Sequence, residues 1–431
     1  MKKYICYLLI ALLLLAGCGS KETNTEEKVE VSVIQQVEES IENTPVPPVE
    51  ATGEQPAQPA IQGYEGFLNA LSAAVIDGKG NKNLSPISVY LAVAMAAEGA
   101  QGETLSELLA LLGADSLEDL RRNAEAMIQA LSVQGRDSEL MLANSLWMGM
   151  QDGEVAFRED YLKTLADSYD ATADAVPFGE AAAQERIAAW IREKTRDKIT
   201  ISEDALHFNA DTLAVLINTI YLKDGWRTPF EKDYTEEGTF YGLDEELRVN
   251  YMARTATDTA IVRGEGYLRY ALALNEVGRM VFILPDEGVA LDALLGSPER
   301  IDELLHGGEE KNNVDVHILL PKFTFQDRTD LEETLMGLGV KTCFTGDADF
   351  SAMTSVPAHI SRILQESRIG VDENGVEAAA YTMIVMPKSA AFSIDREKVD
   401  FHLTRPFLYA IESRDGTVLF LGTVTAPDKA K

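Results

Sequence analysis

The sequence predicts a single large domain of the α+β class, on three observations. Helical spacing dominates the early part of the folded body and strand patterns dominate the late part. Between residues 62 and 427 there is no linker and no internal repeat of roughly 20–50 residues. Residues 87–97, 105–112 and 117–131 place apolar side chains at helical intervals, punctuated by Gly99, Gly102 and Gly113. The apolar run 140–148 fits a strand buried on both faces. Residues 184–199 are amphipathic, with Ile187, Trp190 and Ile191 on one side of a helix. Residues 212–222 are again almost wholly apolar. Strand patterns follow at 267–274, 280–284, 314–319, 360–371, 401–403, 407–411 and 418–424.

Charge narrows the function classes. Against 70 acidic residues the 431-residue chain sets 38 basic ones, a formal charge of −32 that repels nucleic-acid phosphates and anionic lipid. Residues 1–61 carry 4 basic and 9 acidic residues, or −5, so −27 remains with the rest of the chain. Hydrophobic residues at 46% supply a core, and this is not a disordered composition. Cysteines at 6, 18 and 343 cannot build a disulfide framework, and Cys343 reads as a small buried hydrophobe.

The first 17 residues read as a secretory signal: Lys2 and Lys3, an apolar run over 5–15, then Leu15-Ala16-Gly17-Cys18. That ending resembles a bacterial lipoprotein box, which implies cleavage before Cys18 and lipidation of its thiol; an ordinary signal peptide is the alternative. Lipidation supplies a membrane attachment that acidic charge does not. Residues 18–61, rich in glutamate and then proline, read as a disordered tether spanning roughly 35–40 Å. Gly19 and Ser20 give no aspartate retention signal, so the expected location is the cell surface, facing the outside.

Catalytic signatures are missing. His207, His306, His317, His359 and His402 are scattered singly, with no His-Glu-x-x-His and no zinc-spaced cysteine, so each is read as structural and no metal is expected. There is no Gly-x-Ser-x-Gly elbow, phosphate loop or dinucleotide fingerprint, and hence no cofactor expectation. Asp347-Ala348-Asp349 lacks the glycine and glutamate of a calcium loop and reads as a turn.

Residues 374–398 break the ordinary pattern. After the strand 360–371 and the turn Asp372-Glu373-Asn374-Gly375, some 23 residues pass without helical periodicity before Val399 opens the next strand. Read with period two, Val376, Ala378, Ala380, Thr382, Ile384 and Met386 share a small or apolar face, as in a strand able to enter a sheet. Glu377 and Tyr381 fall on the other face and are expected near solvent. A flexible alanine-rich surface loop is the alternative.

At this segment the chain resembles the serpin family. Gly375-Val376-Glu377-Ala378-Ala379-Ala380-Tyr381-Thr382 is similar to the family's reactive-loop hinge. Asn83-Leu84-Ser85-Pro86-Ile87-Ser88, Glu98 to Thr104, Asn218 to Trp226 with Phe230, Leu320-Pro321-Lys322-Phe323, residues 335–350 and Arg405-Pro406-Phe407-Leu408-Tyr409 resemble further family blocks, in family order. The resemblance implies a large mixed main β-sheet with smaller sheets, about eight to nine helices and an exposed reactive loop. It implies no enzyme: a protease attacks the loop, forms an acyl-enzyme, and is trapped when the cleaved loop enters the main sheet. Ser85, Ser88 and Asn218 are then the polar shutter residues under the opening sheet. Gln365 stands where many members have a histidine, which leaves the bonding there open.

Counting fifteen residues from Gly375 puts the scissile bond at Ser389-Ala390, with Lys388 as the rival site. Serine proteases are the expected partners, with cysteine proteases as a second class and the inhibitor itself a monomer. Small hinge residues favour this over a non-inhibitory serpin acting as a binding module. The acidic body argues against activation by polyanions, which needs a basic helix, and favours encounter with basic proteases.

Overall fold

The computed structural model describes residues 61, 63–131, 138–150, 157–201, 206, 208, 212–377 and 396–430. Residues 1–60, with Cys18 and nearly all of the expected tether, therefore lie outside the described residues, while Ile61 packs against the main core. Helix α1 (Tyr64–Val75) and the short strand β1 (Lys82–Leu84) precede α2 (Pro86–Gly99), α3 (Gly102–Leu112) and α4 (Leu117–Ala130). Proline at the first position starts α2 without losing a useful N–H, and all its residues are buried, so it runs through the interior. Gly113, at φ 62°, closes α3 in the left-handed conformation that favours glycine. Ser116 caps α4 by accepting the Asp119 N–H at 3.2 Å.

Strand β2 (Glu139–Gly149), α5 (Glu159–Tyr169), β3 (Thr172–Val176) and α6 (Ala181–Lys194) come next. The expected helix over 184–199 stops at Lys194. There Thr195 Oγ1 donates to the Ile191 carbonyl at 2.7 Å and accepts the Ile199 N–H at 3.2 Å, and Arg196 and Asp197 turn the chain at φ 48° and 60°. Local side-chain bonding outcompetes the helix.

The remainder is strand-rich. It comprises β4 (Ala214–Gly225), β5 (Thr235–Tyr241), β6 (Glu246–Gly264), β7 (Tyr267–Ala273), β8 (Gly278–Pro285), α7 (Pro298–His306), β9 (Glu309–Pro321) and β10 (Phe323–Asp330). Helix α8 (Glu332–Gly337) leads to β11 (Ile360–Val371), β12 (Gly375–Val376), β13 (Glu397–His402), β14 (Phe407–Ser413) and β15 (Val418–Val424). The architecture is α+β, with eight α-helices among the described residues. The long strand β6 was not legible in advance: its burial alternates only over its first half and its register with β9 slips near Thr259.

Two sheets result. A nine-stranded sheet runs β1-β15-β14-β8-β7-β6-β9-β13, with β5 added beside β6; a six-stranded sheet runs β10-β11-β12-β4-β2-β3. The main core gathers Leu84, Ile87, Leu216, Ile220, Phe323 and Val371 with the apolar faces of α1 and α2. On the opposite face of the six-stranded sheet, Ile187, Ala188 and Ile191 of α6 pack on Trp147, Val215, Ile217 and Leu364. This second covering explains why β4 is apolar on both faces. Cys343 belongs to the main core, and burial pushes its thiol well above its ordinary range, which fits a packed rather than a reactive cysteine.

Candidate functional site

Strands β4 and β11 run parallel side by side at the centre of the six-stranded sheet, in register from Ile363↔Leu216 to Arg368↔Tyr221. At the far end of this seam, β12 enters between them and is antiparallel to both: Val376 pairs with Val371 on one side and with Asp224 on the other. A strand antiparallel to two parallel neighbours completes hydrogen-bond ladders with each. Gly375 and Val376, near the start of the segment 374–398, are thus part of the sheet, not an exposed loop.

The hairpin that delivers β12 is set by Asp372, whose Oδ1 accepts the N–H groups of Asn374 (2.7 Å) and Gly375 (3.3 Å). Gly375 is obligatory for space, since a Cβ there would lie 2.2 Å from the Asp224 carbonyl oxygen. Gly375→Ala is expected to eject the hairpin tip and cost on the order of 1–3 kcal/mol. Faster amide exchange at Val376 would reveal it; unchanged exchange would mean that the close approach can relax.

Val376 is 1% exposed, with its side chain in the main core, as the small-face pattern predicts. Glu377 departs from expectation. Its backbone is left-handed at φ 45°, its N–H donates to the Gly370 carbonyl at 2.7 Å, and its carboxylate accepts from Arg368 Nε at 2.7 Å. Only 10% of that side chain is exposed, so an ion pair holds it rather than solvent.

Glu373, in the same turn, accepts from Lys322 Nζ and Thr235 Oγ1 at 2.8 and 2.9 Å. Burial opposes its charge, but these donors outweigh it and hold the carboxyl below its ordinary value. A depressed folded value stabilises above the unfolded one, near pH 4.3, and that stability is lost as pH falls through the folded value. Glu373→Gln is therefore expected to lower the melting temperature at pH 7 and to flatten its decline on acidification. Parallel pH profiles for variant and parent would overturn this. Glu366, midway along β11, behaves oppositely: burial outweighs its contact with Arg328 and raises its carboxyl.

Beneath the middle of the seam lies a closed polar cluster, and it contains all three predicted shutter residues. Ser85 is the residue before α2, Ser88 lies in its first turn and Asn218 is central in β4. The Ser88 hydroxyl donates to Asn218 Oδ1 at 2.7 Å, and the Ser85 hydroxyl donates to the Leu419 carbonyl at 2.8 Å. Gln365 of β11 joins them from across the seam. Its Oε1 accepts the Ser85 N–H at 2.8 Å while its Nε2 donates to the Ser85 carbonyl at 2.9 Å and to the Ser88 hydroxyl at 2.8 Å. Glutamine can pair both ways with one residue's backbone because its amide presents donor and acceptor side by side. Asn144 of β2 completes the cluster by accepting from Asn218 Nδ2 at 2.7 Å. Asn144 was missed in the sequence, where an asparagine in an apolar strand gives no signal of its own.

Of the other predicted positions, Ala378, Ala379, Ala380, Tyr381, Thr382, Lys388, Ser389 and Ala390 lie outside the described residues, as does Cys18. The family model for serpins (serine protease inhibitors) matches residues 66–427, which spans both sheets and the seam. The chain belongs to the serpin family. Leukocyte elastase inhibitor of Xenopus tropicalis is 31% identical over 375 residues, covering 81% of this chain and 93% of the relative. The native-state crystal structure of tengpin, a thermophilic serpin, superposes with a TM-score of 0.72 at 28% identity, over 85% of this chain and 94% of that one. Human thyroxine-binding globulin shares the fold, with a TM-score of 0.72 at 22% identity over 86% and 98% of the two chains. The likeness reaches the whole body of this serpin rather than one sheet.

Proposed function

We infer that this serpin is not an enzyme but a suicide-substrate inhibitor of serine proteases, with cysteine proteases as a second class. In this reading the protease's nucleophile attacks the Ser389 carbonyl carbon, the bond to Ala390 breaks, and the Ala390 nitrogen leaves as an amine. The freed loop then enters the seam before the acyl-enzyme hydrolyses.

One observation carries the reading: β12 has already taken the inserted position at the end of the β4–β11 seam. Continuing its register without a slip would set Ala378 against Leu222 and Ile369, Ala380 against Ile220 and Ser367, and Thr382 against Asn218 and Gln365. Those neighbours are all buried, so small uncharged side chains suit the path. Thr382 would arrive where Gln365 Nε2 and Asn218 Oδ1 lie 3.1 Å apart, and that contact must part for the strand to pass.

Attack after Ser389 suits a protease that accepts small side chains, and attack after Lys388 a trypsin-like one. Lipidation of Cys18 and the tether of residues 18–61 would hold the inhibitor domain, as a monomer, at the outer surface of a bacterial cell. Mixing the full-length chain with elastase-like, subtilisin-like and trypsin-like proteases is expected to give an SDS-resistant complex with at least one. Mass spectrometry should place the new terminus at Ala390 or Ser389; a cut before Met383, or cleavage with no complex by any protease, would sink the inhibitory reading.

A further inference from the structure

Histidines 317 and 402, scattered singly in the sequence, meet in space together with Asp400. Parallel pairing of β13 with β9 sets Asp400 directly across from His317 and His402 across from Leu319. Because side chains alternate along strands, Asp400, His402 and His317 emerge on one face, while Phe401, Ile318 and Val316 point into the core. His317 Nδ1 and His402 Nε2 face one another at 3.0 Å, and Asp400 Oδ1 lies 3.6 Å from each. A point equidistant from three atoms so placed is about 2.0 Å from each, the bond length of imidazole nitrogen and carboxylate oxygen to zinc.

We propose that His317, Asp400 and His402 bind a divalent transition-metal ion of the zinc class, clamping the edge strand β13 to β9. Two imidazoles with one carboxylate suit such an ion better than calcium or magnesium, which prefer oxygen donors. His317 also lines a cavity of about 570 Å³ together with Glu236, Glu237 and Arg254. Among the described residues this is the one group of three or more histidine, cysteine, aspartate or glutamate side chains able to converge on an ion. In sequence the signal was Asp400-x-His402 on a strand, with its third member 83 residues before Asp400.

The clamp lies at a mechanically exposed place. Among the described residues strand β13 is the outermost of its sheet and pairs with β9 alone, beginning one residue after the segment 378–395. A metal bridge there would add to the ladder and the Lys311–Glu397 ion pair that already join β13 to β9.

Calorimetric titration of EDTA-stripped full-length protein with zinc chloride is expected to show one ion per chain, bound at about micromolar strength or tighter. His317→Ala, His402→Ala and Asp400→Ala should each weaken binding about tenfold or more. His306→Ala, which removes a ring 3.0 Å from Asp302 on α7, should change nothing. Cobalt added to the unmutated chain should give visible d–d absorption that zinc abolishes, a readout independent of how the variants fold. Zinc should also slow amide exchange at Phe401 and Leu403. Failure of the unmutated chain to bind zinc at about 100 µM, or binding that survives His317→Ala with His402→Ala, would overturn the assignment.

Discussion

On the proposed mechanism, replacing Val376 by aspartate is expected to turn this serpin from inhibitor into substrate. Val376 is almost fully buried between β4 and β11, and Asp224, wholly buried, lies opposite it in register. Asp224 is already committed to Ser138 Oγ and to the N–H groups of Glu276 and Val277, so a second carboxylate beside it would find no donor. Burying an unpaired charge costs several kcal/mol, enough to keep the start of the loop out of the seam. Arginine at the same position is a milder test, because Asp224 offers it a partner. Protease should still cut the Val376→Asp loop, but the number of inhibitor molecules consumed per enzyme trapped should rise about tenfold or more. Complex formation at the parent stoichiometry would mean that trapping does not depend on insertion at this seam.

Gln365→Leu is expected to have the largest effect on stability. The substitution removes the paired bonds to the Ser85 backbone and the bond to Ser88, and leaves the buried Ser85 N–H without its acceptor. Each lost bond is worth about 1 kcal/mol and the stranded donor more, so a loss of about 2–4 kcal/mol is expected in denaturant titration. Gln365→His should fall between, because the two nitrogens of imidazole lie on opposite sides of the ring and cannot reproduce the two-way pairing with one residue. If the leucine variant unfolds at the parent midpoint, the cluster is not what holds β4 and β11 together.

Much of this was legible in advance where residue chemistry and position coincide. The apolar run 212–222 announced a strand buried on both faces because α6 covers one face and the main core the other. Ser85, Ser88 and Asn218 were readable only through the family resemblance, and each has a buried hydrogen-bond partner. The rest depended on long-range pairing that local patterns do not encode. The fixing of Glu377 by Arg368 needed the return of the chain across Gly370, and the meeting of His317 with His402 needed a parallel ladder between strands far apart in sequence. Strand β6 stayed hidden because its second half is bordered by slipped register rather than by one buried face.

The parallel seam also has a consequence in time. Strand β4 is complete at Gly225, whereas its neighbour β11 begins only at Ile360. At about 5–20 residues per second, a ribosome takes roughly 7–30 seconds to deliver that neighbour. Throughout that interval β4 has one edge with no partner from its own chain, and β12, which enters the seam beside it, is made later still. A nascent chain that meets a finished one in this window has a loop from elsewhere to accept. Yield during synthesis should therefore fall as expression level rises, even for a chain whose completed fold is stable.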